Sequence, residues 1–300
     1  MQVMDYQSWI GVPTPPKKMV ITTDQIVQFT QGFPEEFRPD ARSIPLTFPM
    51  IWWQQTHLPW MELPRKIMIH GQQSFTYERK LKYDAALFYR IELANVRETT
   101  GSLGKIQLLD CTMKVTNVMK QPVLVANTTL ILLDSPALQP SYSELEPVYP
   151  QYPSEIYYQW DGKHRLSSGE LLFDACLGTI TSSMLIAYAA ASSDNNPIHL
   201  DVLKAHEAGA PRRIAQGMLI GGMIGNRLQM LGLDNWILCD IKYRFRSPVM
   251  EGDVVRVLVS VINTDNLSHL ACSITVYIEH RAGVPSNLLA YEGSVRYTAR

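Results

Sequence analysis

The feature that most restricts the fold is an apolar segment in the second half of the sequence, "GMLIGGMIGNRLQMLG" at residues 217–232. This segment is apolar on all sides, which is typical of a buried helix, and its glycines favour close approach of a backbone or a ligand. Residues 241–280 then alternate apolar and polar side chains in short runs, broken by "EGD" and "NTDN", as antiparallel strands joined by tight turns do. Together these patterns predict an antiparallel sheet wrapped around one buried helix.

The first half of the sequence repeats this layout. Residues 71–133 contain similar alternating runs, and "KYDAALFYRIEL" falls where "EGDVVRVLVSV" falls later. The segment between the halves, 134–170, is rich in proline, serine and tyrosine and lacks a sustained period. A connection of about 30 residues reaches roughly 100 Å when extended, which is enough to cross a neighbouring domain. We therefore predict an α+β protein with domains at 1–135 and 169–300 and a linker at 136–168.

Composition and charge exclude several classes of partner. Hydrophobic residues make up 46% of the 300 residues, and the net charge of -1 provides no basic field for a nucleic acid. No apolar run approaches the roughly 20 residues of a membrane-spanning helix, and the N-terminus lacks the basic and apolar regions of a secretory signal. We expect a soluble, cytoplasmic protein with no membrane partner.

The cysteines predict no metal site. The four of them, Cys111, Cys176, Cys239 and Cys272, are far apart in the sequence, and none lies in a CxxC motif or at ligand spacing from a histidine. Buried or half-buried reduced thiols are therefore expected. We expect neither a metal nor a cofactor.

Candidate chemistry lies in "SSDNNPIHLD", residues 192–201. Asn-Pro favours a turn, which can bring Asp194 and His199 to one side. A carboxylate with a reference pKa near 3.9 and an imidazole with one near 6.5 can act as base and acid near neutral pH. The same residues are also ordinary turn and capping chemistry, and on composition alone that interpretation is favoured.

Gly217 follows this turn at the start of the buried helix. The first amides of a helix have no partner within it and point outward along the dipole, so they can stabilise a developing oxyanion. The absence of a side chain lets a carbonyl approach closely. Gly217 on its own is equally consistent with a tight entry into the helix.

Residues 188–228, "YAAASSDNNPIHLDVLKAHEAGAPRRIAQGMLIGGMIGNRL", resemble the hydratase signature of the MaoC-like family of (R)-specific enoyl-CoA hydratases and 3-hydroxyacyl-thioester dehydratases. The shared pattern is Y/F-A-x-x-S-x-D-x-N-P-x-H-x-D, an A-x-x-A-G stretch and then I-x-H-G-M-L. The resemblance implies a hot-dog fold, an antiparallel sheet around a long helix, and some members carry two copies. It therefore implies a double hot dog, with two such sheets packed side by side.

The first half is similar to the degenerate first copy of two-copy members. Its "IPLTFPMIWW" at 44–53 resembles a P-x-T-F-P-M stretch, and "MIHGQQSFTYERKL" at 68–81 resembles an H-G-x-Q-x-F-x-Y-x-R-x-L strand. The position of the catalytic turn is occupied by "GFPEEFRPDARSIP", which has no N-P-x-H. This copy is expected to lack the catalytic pair, and Glu35 and Glu36 are expected to be exposed loop residues, not substitutes for it.

By the resemblance, Asp194 and His199 hold one water that adds to the β-carbon of a trans-2-enoyl thioester, and the amide of Gly217 binds the thioester oxygen. Addition of oxygen and proton from one side makes the reaction syn, and dehydration runs the same path backwards. Asn196 orients the pair or fixes the turn, while Asp201 is expected to cap a helix.

Asn196 and several further residues are candidates for substrate binding. Gln216 and Met218 flank Gly217, and Gln216 replaces the histidine that the family usually has there. The proposed oxyanion donor is the backbone amide of Gly217, which does not depend on the side chain at position 216. The replacement is therefore expected to change the reaction rate more than the class of reaction. Arg212 and Arg213 lie near the predicted mouth and can meet phosphates, although solvated surface arginines are the ordinary case.

Other functions remain open at this point. The chain is alternatively a non-catalytic acyl-thioester binding subunit, or a thioesterase, because one fold hosts several chemistries. The tryptophans and methionines of "FPMIWWQQTHLPWMELP" either line an acyl tunnel or belong to the core. The sequence does not distinguish coenzyme A from acyl-carrier protein as the thioester carrier, nor a monomer, in which the two copies form a pseudo-dimer, from a homodimer.

Overall fold

The computed structural model describes residues 6–40, 43–61, 67–101, 104–133, 151–162, 164–231, 236–281 and 287–299. Within these ranges, no helix is long and apolar enough to cross a membrane.

The described strands form one antiparallel sheet of eleven strands. The strands of the first half are β1 (Lys17–Val20), β2 (Ile67–Tyr77), β3 (Ala86–Gly101), β4 (Gly104–Asn117) and β5 (Pro122–Leu133). Those of the second half are β6 (Glu155–Gln159), β7 (Leu171–Thr179), β8 (Trp236–Phe245), β9 (Val254–Thr264), β10 (His269–His280) and β11 (Leu288–Ala299). Their order across the sheet is β1-β3-β4-β5-β2-β8-β11-β10-β9-β7-β6, so each half keeps its own strands together.

The two halves meet at β2 and β8, which pair antiparallel with Gln72 opposite Arg244 and Thr76 opposite Asp240. Each half thus contributes to the junction the strand that lies at the middle of the eleven-stranded sheet, which is its innermost strand. The two sheets predicted from the sequence are therefore continuous through their backbone hydrogen bonds, and the two-copy fold is confirmed.

Five helices accompany the sheet in the described part of the chain. They are α1 (Thr23–Thr30), α2 (Met50–Gln54), α3 (Ser182–Ser192), α4 (Val202–Glu207) and α5 (Gly217–Gln229). The predicted buried helix is α5, most of whose residues are buried. In the first half the helix that precedes the innermost strand, α2, is only five residues long.

The glycines of α5 let the first half pack directly onto this helix. A Cβ on Gly222 would lie 2.5 Å from Cε1 of Phe33, and one on Gly221 would lie 3.2 Å from Cε2 of Tyr243. A hydrogen bond stabilises the same contact, since the side-chain amide of Asn226 donates to the carbonyl of Phe37 at 3.0 Å. The close approach predicted from these glycines is therefore made by side chains of both halves.

An aromatic cluster joins the halves next to α5. Phe33 packs edge-on against Phe29 at 5.5 Å and against Tyr188 of α3 at 5.3 Å, and Phe29 contacts Phe48 at 5.4 Å. All four side chains are buried. This cluster ties α1 to α3, the helix that leads into the candidate turn.

The predicted linker, 136–168, lies partly outside the described residues. Within it, residues 155–159 form β6, which pairs with β7 at the edge of the sheet. All five residues of β6 are exposed, and Tyr157 lies under the guanidinium of Arg256, 5.0 Å from the ring centroid. An exposed edge strand lacks the alternation that marks a half-buried strand, which is why the sequence did not indicate it. The domain boundaries stay a prediction.

The cysteines lie where the sequence placed them. Cys111, Cys176 and Cys272 are buried, Cys239 is half-buried, and all four are free thiols.

Candidate active site

Local hydrogen bonds shape the turn that follows α3. The helix ends at Ser193, which adopts a left-handed conformation with φ of 64°. The hydroxyl of Ser192 donates to the carbonyl of Tyr188 and accepts from the amide of Asp194 at 3.2 Å. Asn196 then caps a short 3-10 turn at Pro197–His199 by accepting from the amide of Ile198. The chain therefore reverses direction between Asp194 and His199.

This reversal brings the two predicted catalytic side chains together. Nε2 of His199 lies 3.9 Å from Oδ2 of Asp194, and their side chains are only 10% and 20% exposed. The separation is too long for a direct hydrogen bond and has the length at which one water can bridge two polar groups.

The tautomer of His199 follows from its second nitrogen. Nδ1 lies 2.6 Å from the carbonyl oxygen of Ile214, which can only accept, so Nδ1 carries the proton. Burial lowers the pKa of His199, while the charge of Asp194 and the bond to Ile214 oppose this shift. The imidazole is therefore neutral near pH 7, and the lone pair of Nε2 lies on the side of Asp194.

Gly217 begins α5 on the wall of the same cavity as this pair. The first amide to bond back within this turn belongs to Leu219, which donates to the carbonyl of Gln216 at 3.0 Å, so the amides of Gly217 and Met218 precede it. A Cβ on Gly217 would lie 3.0 Å from Cε1 and Cζ of Phe245. An added side chain at this position would therefore require the ring of Phe245 to shift by a few tenths of an ångström.

The cavity has a volume of about 960 Å³ and is lined from both halves. The second half supplies the turn, the start of α5 and Phe245. The opposite wall is mostly apolar and comes from the first half: Met50, Trp53, Met61, Ile67, Met68, Ile69, Ile106, Leu130 and Ile131. Trp52 and Trp60 are fully buried in the core instead. The tryptophan- and methionine-rich stretch of the first half therefore contributes side chains both to the cavity wall and to the core.

Asn196 also lines the cavity, and its side-chain amide donates to the carbonyl of Met68 at 3.4 Å. The turn is thereby held against strand β2 of the first half. Asp201 caps α4 by accepting from the amide of Leu203 at 2.8 Å, as expected from the sequence.

Gln216 and Met218 do not line the cavity. Gln216 is fully buried and donates from Nε2 to the carbonyl of Leu185 in α3 at 3.0 Å, so its side chain ties the two helices together. Met218 is 4% exposed and belongs to the core. Direct binding of substrate by these two residues stays a prediction.

Arg212 and Arg213 likewise lie outside the cavity wall and are engaged by carboxylates. Arg212 pairs with the buried Asp253 at 3.0 Å, and Arg213 pairs with Glu251 at 2.8 Å. These ion pairs hold the loop before α5 onto the turn between β8 and β9. Contact of either arginine with a phosphate stays a prediction.

Glu35 and Glu36 do not line the cavity either. They lie in a short 3-10 turn of the first half, where Glu36 accepts a hydrogen bond from Ser154 at 2.8 Å.

Sequence reasoning missed several residues that line the cavity, among them Phe245 of β8 and His70 of β2. The half-buried side chain of His70 lines the cavity, and its ring centroid lies 4.9 Å from that of Phe245. Burial lowers the pKa of His70 to about 4, while the charge of Asp194 and hydrogen bonds to Gln73 and Gln72 oppose the shift. A histidine in the otherwise apolar run "IMIHG" was the available signal.

Comparison with known families agrees with this architecture. Residues 177–281 match the family described as "MaoC like domain", and residues 8–126 match the "FAS1-like, dehydratase domain region". The chain thus contains a segment similar to the FAS1-like dehydratase region, followed by a segment similar to a MaoC-like domain. The resemblance noted in the sequence is confirmed.

Individual proteins with similar sequence or structure fit the same picture. The chain is 35% identical over 104 residues to the 3-hydroxybutyryl-CoA dehydratase of Methylorubrum extorquens, covering 32% of this chain and 64% of that protein. The chain therefore spans less than two thirds of the length of this relative. A solved "MaoC-like dehydratase" superposes with a TM-score of 0.72 at 17% identity, covering 98% of this chain and 99% of that one.

A second solved structure defines the fold by name. A conserved hypothetical protein of Mycobacterium tuberculosis, described as having a double hotdog fold, superposes with a TM-score of 0.58 at 14% identity over 94% of both chains. At these identities the likeness shows the fold alone, which is the double hot dog expected from the sequence.

Proposed function

We propose that this protein catalyses the reversible syn hydration of trans-2-enoyl thioesters and the dehydration of (3R)-hydroxyacyl thioesters. The observation that carries the proposal is the 3.9 Å separation between a neutral imidazole, His199, and the carboxylate of Asp194 on the wall of a largely apolar cavity. The helix start at Gly217 lines the same cavity. Similarity to a 3-hydroxybutyryl-CoA dehydratase supports the reaction class.

The proposed hydration begins with one water between Oδ2 of Asp194 and Nε2 of His199. Because Nδ1 of His199 donates to Ile214, Nε2 accepts a proton from this water while the water oxygen bonds to the β-carbon. The electron pair of the C=C bond moves into the thioester, and the amide of Gly217 stabilises the resulting enolate oxygen.

The second step returns the proton. As the enolate collapses, the α-carbon takes the proton from Nε2 of His199, so that oxygen and hydrogen add to the same face. Dehydration reverses both steps. All atoms come from the substrate and one water, and no cofactor takes part in these steps.

The acyl chain is proposed to lie against the wall supplied by the first half, with the thioester towards Gly217. The apolar side chains of that wall, such as Met68 and Leu130, fit hydrocarbon, and about 960 Å³ accommodates a drug-sized or larger group. Coenzyme A and acyl-carrier protein are both proposed as thioester carriers. In this proposal residues 169–300 form the catalytic domain.

Hydration of crotonyl-CoA tests the proposal, followed as loss of absorbance of the conjugated thioester. Asp194→Asn is expected to lower kcat by about 10²–10⁴, because it removes the carboxylate that orients the water and stabilises the imidazolium formed on His199. Asp201→Asn is the matched control: the same chemical change on a capping residue, for which asparagine is an equally good cap. Equal turnover by the wild type and Asp194→Asn, or release of free thiol, would contradict the proposal.

A further inference from the structure

The degenerate first half brings one polar ring to the candidate active site. His70 lies on β2, the strand that joins the two halves through β8, and lines the cavity together with Asp194 and His199. Its ring packs against Phe245 with centroids 4.9 Å apart and planes inclined by 53°. Phe245 is the last residue of β8, so this contact crosses the junction between the halves.

Phe245 in turn packs against the start of α5. Its ring atoms Cε1 and Cζ would lie 3.0 Å from a Cβ on Gly217, the residue whose amide is the proposed oxyanion donor. On another side the ring packs edge-on against Tyr291 at 4.6 Å. The position of this ring therefore determines how much space a thioester carbonyl has beside the Gly217 amide.

A buried hydrogen-bond network fixes His70. Nε2 of Gln73 donates to the carbonyl of Ser74 at 3.0 Å, and its Oε1 accepts from the hydroxyl of Thr128 at 2.7 Å. Oε1 of Gln73 also lies 3.2 Å from Nε2 of His70, so that nitrogen is the donor. Gln73 and Thr128 are fully buried. This network sets the direction that the His70 ring faces, while the ring itself packs against Phe245.

We propose that His70 is a positioning residue for the reaction: its ring packs against Phe245, holds that side chain against the start of α5 and thereby shapes the oxyanion site at Gly217. The first half, which lacks a catalytic pair, thus acts on the chemistry of the second through one ring contact. This inference rests on the proposed function, because it assigns a role in that reaction.

Two substitutions separate the ring contact from the hydrogen bond. His70→Phe keeps an aromatic ring against Phe245 and loses the bond to Gln73, whereas His70→Gln keeps a polar group for Gln73 and loses the ring. We expect His70→Gln to lower kcat for enoyl-CoA hydration at least about tenfold, because displacements of about 1 Å cost up to about 10²-fold. His70→Phe is expected to stay within about threefold of the wild type, with KM in both variants within about threefold.

Coupling to Phe245 gives a readout that a merely structural role would not move. In a Phe245→Leu background the His70→Gln substitution should have no further effect on kcat, because the ring through which it acts is absent. Thr76→Val is the matched control on the same strand; it removes the hydrogen bond from Thr76 to Asp240 at 2.8 Å, outside the cavity, and should leave kcat unchanged.

Each outcome is decisive. Three results would overturn the role of His70 and leave the proposed function standing, provided that Asp194→Asn is inactive. They are wild-type kcat in folded His70→Gln, equal impairment of His70→Phe and His70→Gln, and effects of His70→Gln and Phe245→Leu that multiply. An inactive wild type would instead overturn the proposed function, and this inference with it. If His70→Gln does not unfold cooperatively, His70→Leu takes its place, because it also removes the aromatic ring. The same loss of kcat is then expected, and wild-type kcat in folded His70→Leu would overturn the ring contact.

Discussion

Replacement of Gly217 by alanine tests whether the start of α5 is part of the active site. The added Cβ would lie 3.0 Å from two ring atoms of Phe245, so the ring has to retreat by a few tenths of an ångström. It cannot do so easily, because His70 and Tyr291 pack against it at 4.9 and 4.6 Å. Overpacking costs about 1–3 kcal/mol, and removal of a helical glycine returns up to about 1 kcal/mol.

The net loss of stability is therefore about 0–3 kcal/mol, or a fall in Tm of up to several degrees. The loss of activity should be larger, about 10–100-fold in kcat, because the carbonyl is displaced from the amide of Gly217. Thermal unfolding and crotonyl-CoA hydration measure the two effects on the same samples.

Two other glycines of α5 are matched controls. A Cβ on Gly225 would have its nearest neighbour, the hydroxyl of Tyr243, at 3.6 Å, so Gly225→Ala should raise stability by up to about 1 kcal/mol. A Cβ on Gly222 would lie 2.5 Å from buried Phe33, so Gly222→Ala should lower stability more than Gly217→Ala does. Both should keep near wild-type kcat. Full activity of Gly217→Ala, or an equal loss in folded Gly222→Ala, would refute this reasoning.

Two further predictions concern stability. Because burial lowers the pKa of His70 from an unfolded value of 6.5 to about 4, the unfolded state binds more protons between these values. The free energy of unfolding therefore decreases as pH falls, by about 2 kcal/mol between about pH 7 and 5. Denaturant melts at both pH values should show a smaller decrease in His70→Gln than in the wild type. An equal decrease in the two proteins would contradict the lowered pKa of His70. The lowered pKa of His199 acts in the same direction. Asp253→Asn should lower the free energy of unfolding by about 3–5 kcal/mol, since the fully buried carboxylate pairs with Arg212 and Arg281. Glu207 forms an exposed pair with Lys204, so Glu207→Gln should lower it by less than about 1 kcal/mol in the same melts.

Much of the fold could be predicted from the sequence because its signals are local. Alternation over residues 254–278 reflects strands with one buried face, and the structure pairs them as β9 and β10. The Asn196-Pro197 turn and the capping by Asp201 likewise depend on neighbours in the chain. A pattern of adjacent residues was sufficient for each of them.

Features that depend on distant segments could not be predicted in this way. Gln216 and Arg213 lie close before Gly217 in the sequence, yet neither side chain lines the cavity. Gln216 hydrogen-bonds to α3 instead, and Arg213 pairs with Glu251. His70 was missed for the converse reason. It belongs to the half that lacks the Asn-Pro turn, and it reaches Phe245 only because β2 pairs with β8.

The central claim is that Asp194 and His199 act as one unit on one water. The measurement that tests it most directly is kcat for enoyl-CoA hydration in Asp194→Asn, His199→Gln and the double variant. Each single substitution should lower kcat by about 10²–10⁴, and the double variant should be no slower than the slower single one, because either change disables the same unit. Near wild-type kcat in either single variant, or losses that multiply in the double variant, would contradict the claim.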